Sequence, residues 1–181
     1  YVTRNLIKTS DGTLLLSIPI IRKSFMKKPL KDLKIDYQQN WVSKHLRSIE
    51  INYGKSHNFK IIFPLIVQLY EKKISLFCDF CFEQLILFMN LLEIDTKIVK
   101  LSELNIDQKK SDLILEICLK LNASKYIAGG NTMNYLFEES FAAQNIQIIQ
   151  QEFKPPHYKQ LHGDFIENLS VLDFIMNNKK L

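Results

Sequence analysis

Only 5 glycines occur in 181 residues, and none falls in a GxGxxG or GxxxxGK[ST] pattern, so the two commonest backbone cradles for nucleotide phosphates are missing. Cysteine is as sparse: Cys78, Cys81 and Cys118 cannot all pair with one another, and no apolar signal segment opens the chain. A disulfide-stapled secreted fold is therefore disfavoured and a cytoplasmic setting expected. Long apolar runs are lacking too. Ile61 to Tyr70 and Leu85 to Leu92 are each about half the roughly 20 residues of a membrane helix, so no membrane insertion is expected. The 24 basic against 19 acidic side chains leave +5 at pH 7, short of the dense basic face of a dedicated nucleic-acid binder.

What is present suits a folded chain: 46% hydrophobic and 24% charged residues, with 12 Phe and 7 Tyr. Residues 1 to 21 read as a β-hairpin turning at Ser10-Asp11-Gly12-Thr13, with Pro19 near a strand end. Arg22 to Lys34 is a basic run that reads as a solvated loop before a short strand near Ile35. Trp41, Lys44, His45, Ile49 and Tyr53 are spaced for a helix that Asn40 opens and Gly54 closes. Helices are expected over Phe59 to Lys73 and Leu76 to Leu92, the latter very apolar and so the most buried.

Beyond these, strands are expected at Ile94 to Leu101, Lys125 to Ile127 and Ile146 to Phe153. Helices are expected at Ser111 to Leu121, Thr132 to Gln144 and Leu169 to Asn177. The alternation predicts an α/β fold, a mixed sheet flanked by helices with a helix-rich middle segment. One domain over 1–181 is expected, with a helical subdomain at 40–92. The chain begins with Tyr1 directly in a strand, which reads as a fragment of a longer protein.

Three constellations carry candidate chemistry. Cys78-x-x-Cys81 has metal or redox spacing, but no second ligand pair accompanies it and its neighbours are core-forming, so buried thiols are the simpler reading. Trp41-x-x-Lys44-His45 puts an aromatic surface, a cation and an imidazole within one helical turn; by composition alone a packed Trp with Lys and His on the wet side is the simpler reading. The run Gln150 to Gly163 gathers hydrogen-bonding side chains after a predicted strand, where α/β proteins hold ligands. There His157 or His162 suits a general base, and Tyr158 or Gln160 an orienting group; a polar surface loop is the alternative. No residue set names a metal or a cofactor.

Taken in order, these segments resemble the WbqC-like family of bacterial surface-polysaccharide loci. The resemblance is carried by Arg4-Asn5-x-Ile7-Lys8, Gly12 and Leu16-Ser17-Ile18-Pro19-Ile20, then Trp41-x-x-Lys44-His45 with Ile49 and Tyr53. Ser102-x-Leu104 and Leu121 to Gly129 follow. Last come Gln151-Glu152-Phe153, Pro156-x-Tyr158-x-Gln160-Leu161-His162-Gly163-x-Phe165 and Leu169-Ser170-x-x-Asp173. Similar proteins carry an upstream segment with a His-Gln-Pro motif, so the resemblance implies an amino-terminally truncated copy. Ala128 stands where the family often has Ser, and Asn122 where it often has Gly.

The resemblance implies a role in O-antigen or related surface-polysaccharide biosynthesis, with group transfer onto a nucleotide-linked amino sugar as the expected reaction. His45, His162 and Tyr158 are then the catalytic candidates. Arg4, Asn5, Lys8, Trp41, Lys44, Gln151 and Gln160 are the substrate-binding candidates, with Arg4, Lys8 and Lys44 holding phosphate charge. The expected partner is a nucleotide sugar, with no nucleic acid. A second copy of the chain or a pathway enzyme are further partner classes, and a non-catalytic protein supporting such an enzyme is the alternative function.

Overall fold

The computed structural model describes residues 3–21, 29–130 and 136–178. The chain groups into two compact units, one of residues 1–95 with 155–181 and one of 96–154. The helical segment 40–92 lies within the first. Residues 22–28 of the basic run and 132–135 of the helix expected at Thr132 to Gln144 lie outside the described residues.

In the first unit β1 (Arg4–Thr9) pairs antiparallel with β2 (Gly12–Ser17), Thr9 opposite Gly12. The turn thus lies one residue earlier than predicted, centred on Ser10 and Asp11. Gly12 takes a φ of +116° just after it, where a side chain would be strained. The expected short strand near Ile35 is a pair of isolated bridges, Ile20 to Ile35 and Lys34 to Leu76.

Helix α1 (Trp41–Tyr53) follows the predicted spacing: Trp41, His45, Ile49 and Tyr53, each one turn apart, are its buried residues. Helix α2 (Phe59–Glu71) runs through Pro64, which lies on its more open side; there water can take up the carbonyl that the proline nitrogen cannot serve. Helix α3 (Phe77–Leu91) corrects an expectation. Only Phe77 and Phe80 are buried, while Leu85 is 46% exposed, so this very apolar helix is not the most buried of the three. The apolar side chains of a helix set what it can bury; the neighbours it meets decide what it does bury. Glu93, at φ +53°, ends α3, and Ile94 N–H bonds back to Met89 O at 2.9 Å.

The core of this unit joins Ile7 of β1, the inward face of α1, Ile62, Ile66, Leu69 and Tyr70 of α2, and Leu172, Ile175 and Met176 of α6 (Val171–Asn177). Ser170 opens α6, its hydroxyl accepting from Leu172 N–H.

The expected strand at Ile94 to Leu101 is irregular chain ending in a single 3₁₀ turn at Leu101–Glu103. It begins where the chain passes from the first unit into the second, and no strand among the described residues pairs with it. The second unit contains α4 (Lys110–Lys120), β3 (Lys125–Ala128), α5 (Glu138–Ala142) and β4 (Gln147–Gln150). β3 and β4 pair in parallel. Their core is Cys118, Ala128, Leu136, Phe141 and Ile146. Helices combined with an antiparallel and a parallel strand pair give the expected mixed α/β class. Among the described residues no helix is long and apolar enough to cross a membrane.

Candidate functional site

Two adjacent residues of β1, Ile7 and Lys8, are both buried, although alternation would turn one outward. Lys8 is only 1% exposed, and an ammonium so placed is tolerable only with its donors satisfied. Lys8 Nζ donates to Gln160 Oε1 at 3.1 Å, to Asp164 O, and to Gly163 O at the long limit of 3.5 Å. His162 and Gly163, at φ +61° and +71°, form the bend that supplies those carbonyls.

Gln160 is saturated. Its Oε1 also accepts from Ile166 N–H at 2.9 Å, and its Nε2 donates to Ile166 O at 2.8 Å and Tyr158 Oη at 3.3 Å. Tyr158 in turn donates to Asp173 Oδ2 at 2.7 Å, and Tyr53 donates to Asp173 Oδ1 at 2.8 Å. Lys8 N–H closes the circuit by donating to Tyr53 Oη at 3.0 Å. Asp173 is fully buried with one hydroxyl on each carboxylate oxygen, the arrangement that makes a buried acid tolerable. Desolvation foremost, then the Asp173 charge, pushes the Tyr53 hydroxyl far above its ordinary range. Tyr158 is raised for the same leading reason, with the Gln160 bond pulling the other way. Both hydroxyls are therefore proton donors to Asp173 rather than phenolates.

A second cluster is built on α1. His45 Nε2 lies 3.1 Å from Ser17 O, and Nδ1 lies 3.2 Å from Tyr70 Oη. A carbonyl only accepts, so Nε2 carries the hydrogen and Nδ1 accepts from Tyr70. Burial lowers the His45 pKa against the opposing pull of the Ser17 carbonyl, which keeps the ring neutral. Trp41 packs edge-on to His45 and Phe80, with ring centres 5.1 and 5.9 Å away. Its Nε1–H is buried without an acceptor among the described residues.

Two clefts adjoin this cluster. One of about 270 Å³ is lined by Arg4, Asn5, His45, Tyr70, Gln84 and Ser170 together with apolar core residues. The other, about 780 Å³, lies between β2 and the first turns of α1 and is lined by Gln39, Trp41, Ser43, Lys44, His45 and Arg47. Leu16 and His45 belong to both. No acidic residue occupies the first turn of α1 and Asn40 makes no side-chain cap, so the dipole of that helix end reinforces the positive charge of Lys44. Arg47 is paired with Glu50 at 2.9 Å.

The structure therefore sorts the sequence-selected residues into groups. Arg4, Asn5, Trp41, Lys44 and His45 line the two clefts. Lys8, Tyr158 and Gln160 join the buried network with their hydrogen bonds committed inside it. His162 is exposed, its Nε2–H donating to Asn52 O at 2.9 Å. Gln151 belongs to the second unit, where its N–H donates to Ala128 O at 2.8 Å.

Tyr53 and Asp173 are the network members that the sequence motifs did not single out as site residues. The signal was a lone acid inside Leu172-Asp173-Phe174-Ile175-Met176, an apolar turn that could only bury it. Cys81 lines the smaller cleft, with its thiol pushed up to about 11 by burial and then by Cys78. Among the described residues no three His, Cys, Asp or Glu side chains gather where a metal could bind.

Residues 1–180 match the family described as WbqC-like protein family. The uncharacterized protein Rv1507c of Mycobacterium tuberculosis is 24% identical over 176 residues, covering 96% of this chain and 76% of that protein. No solved structure matches the chain.

Proposed function

Because the chain belongs to the WbqC-like protein family, we propose that it is a cytoplasmic transferase of bacterial surface-polysaccharide biosynthesis, such as that of lipopolysaccharide O-antigen, which places a group on a nucleotide-linked amino sugar. The observation that carries this reading is the position of His45 in the wall of both clefts, with Arg4 and Asn5 in one and Lys44 in the other. Two reactants can then meet beside one imidazole. A cleft of about 780 Å³ is within the size range of small-molecule sites. Lys44 and the uncapped start of α1 favour phosphate at that end, and Arg4 supplies a second cation.

In such a transfer the sugar amine nitrogen forms the new bond, and the bond from the group to its carrier breaks with its electron pair leaving on the carrier. The surplus amine proton passes to a base. Neutral His45 has the protonation state for that role once the Tyr70 hydroxyl turns from Nδ1 to the substrate. Lys8, Gln160 and Tyr158, saturated by one another and by Asp173, position β1 and so Arg4 and Asn5. His162 holds the end of α1 through Asn52 O.

Trp41, the only tryptophan of the sequence, reports the test directly. Titration with nucleotide-linked sugars should change its emission, and Lys44→Ala should weaken the response about tenfold, one charge-assisted contact. A full panel that leaves the emission unchanged, or an identical response in Lys44→Ala, would sink the proposal. One observation favours a second reading, that of a non-catalytic partner of a pathway enzyme: both ring nitrogens of His45 are already bonded within the protein. That reading predicts co-purification with a polysaccharide-biosynthesis enzyme and indifference to nucleotide sugars.

A further inference from the structure

A third cleft lies at the other end of α1. It measures about 540 Å³ and is lined by Lys55, His57, His157, Tyr158, Lys159 and Gln160, with Ser56, Leu161, Asn177 and Asn178 completing it. No lining residue is acidic. Among the described residues neither Lys55 nor Lys159 has an ion-pair partner. The two ammonium groups line one concavity, and an anion bound between them would offset their mutual repulsion.

The backbone of both walls is held from behind by α6. On one side Asn58, buried, donates from Nδ2 to Ile175 O at 2.8 Å and Asn178 O at 2.6 Å, and from its N–H to Met176 O at 3.1 Å. On the other, Tyr158 is tied to Asp173 and Gln160 to Ile166, while the His157 ring rests on Phe165 with centres 4.2 Å apart. The Asn58 bonds have a second effect. The carbonyls at the end of α6 would present negative charge to the cleft, and those of Ile175, Met176 and Asn178 are already occupied. At the end of α1, Asn52 O is likewise taken by His162. With the Tyr158 and Ser56 hydroxyls and the Gln160 and Asn177 amides committed inside the protein, the side chains left to meet a ligand in the cleft are the ammonium groups of Lys55 and Lys159 and the imidazoles of His57 and His157.

We infer that this cleft binds the phosphate or diphosphate group of a small phosphorylated molecule, with Lys55 and Lys159 as its principal charged contacts and His57 and His157 as flanking donors. It is separate from the Lys44 cleft, with which it shares no lining residue. The inference does not depend on the transferase reading.

The test is calorimetric titration of the full chain with inorganic pyrophosphate and, separately, with uridine diphosphate. The expected result is saturable binding of at least one of them with a component that is weakened about tenfold or more in Lys55→Gln/Lys159→Gln and persists in Lys44→Ala. Tighter binding of uridine diphosphate than of pyrophosphate identifies a nucleotide as the ligand class, and equal binding identifies the bare diphosphate. Absence of saturable heat with both probes overturns the inference. So does binding that Lys44→Ala abolishes while the double variant retains it. Should the double variant fail to fold, Lys55→Gln and Lys159→Gln are titrated singly, and unchanged affinity in both overturns it equally.

Discussion

Tyr53 and Asp173, 120 residues apart in the chain, meet hydroxyl to carboxylate at 2.8 Å inside the first unit. This bond joins the last turn of α1 to α6, and its partners extend it to β1 through Lys8 and to the 158–166 segment through Tyr158 and Gln160. Four separate stretches of sequence are thus held by one buried acid and one buried base that do not touch each other. Polar side chains bridge them, so each charge is satisfied by hydrogen bonds.

Removing the Tyr53 hydroxyl should be costly beyond its size. Tyr53→Phe leaves Asp173 Oδ1 and the Lys8 N–H without their partners, and one buried unsatisfied group costs about 1–3 kcal/mol. Tyr158→Phe should cost less, because Tyr158 is half-buried and water can reach the vacated oxygen. Urea unfolding of the two variants checks the order; equal losses would show that the two carboxylate oxygens are equivalently solvated.

Lys8→Met tests whether the buried ammonium stabilises the fold or only organises it. Methionine fills similar space but leaves Gln160 Oε1 with one donor fewer and the carbonyls of Gly163 and Asp164 without their cation. Breaking a buried charged contact from one side typically costs about 3–5 kcal/mol. A loss below about 1 kcal/mol by thermal or urea unfolding would mean that the carbonyls find water instead.

His45 predicts a pH dependence with a definite sign. Burial lowers its folded pKa below the reference 6.5, so the unfolded chain takes up a proton at a pH where the folded chain does not. Its contribution to stability is fully present above about 6.5 and is lost as pH falls through the lower folded value. Unfolding free energies measured across that range should therefore fall toward acid in the wild type, and more shallowly in His45→Gln. Parallel curves would exclude His45 as the source.

The tyrosines act at the opposite end of the scale. Tyr53, Tyr70 and Tyr158 are all raised above 10.0, each chiefly by burial, so their share of stability is present below pH 10 and is lost as the pH rises beyond it. Absorbance titration of phenolate should show these three ionising only with unfolding, and Tyr70→Phe should remove one such late-titrating group.

Cys81 and Cys118 should resist alkylation. Burial pushes the Cys81 thiol up to about 11 and raises Cys118 as well, and the thiolate is the reactive form. At pH 8 both should be modified more slowly in the native protein than after denaturation, Cys81 by at least about tenfold from its thiolate fraction alone. Rapid native labelling of Cys81 would show that the cleft it lines opens readily.

Local pattern determined the pieces of this protein. The spacing of Trp41, Ile49 and Tyr53 sufficed to place α1, but the reading of His45 on the wet side failed: four residues from Trp41, it shares the buried face. The Asp-Gly pair located the hairpin to within a residue. The Trp41-x-x-Lys44-His45 helix and the order of motifs along the chain pointed to the family. Local pattern failed at Ile94 to Leu101, whose apolar residues read as a strand, because a strand exists only where another offers it a ladder. It failed also on α3, which carries more apolar surface than its neighbours cover.

Only the tertiary structure decided which polar residues face a cleft and which are sealed inside. By composition Lys8 and Lys44 are the same residue. The fold places one against Gln160 and two carbonyls, out of contact with water, and the other beside an open cleft at a helix start. That difference arises from contacts between residues more than a hundred positions apart, which no spacing along the chain encodes.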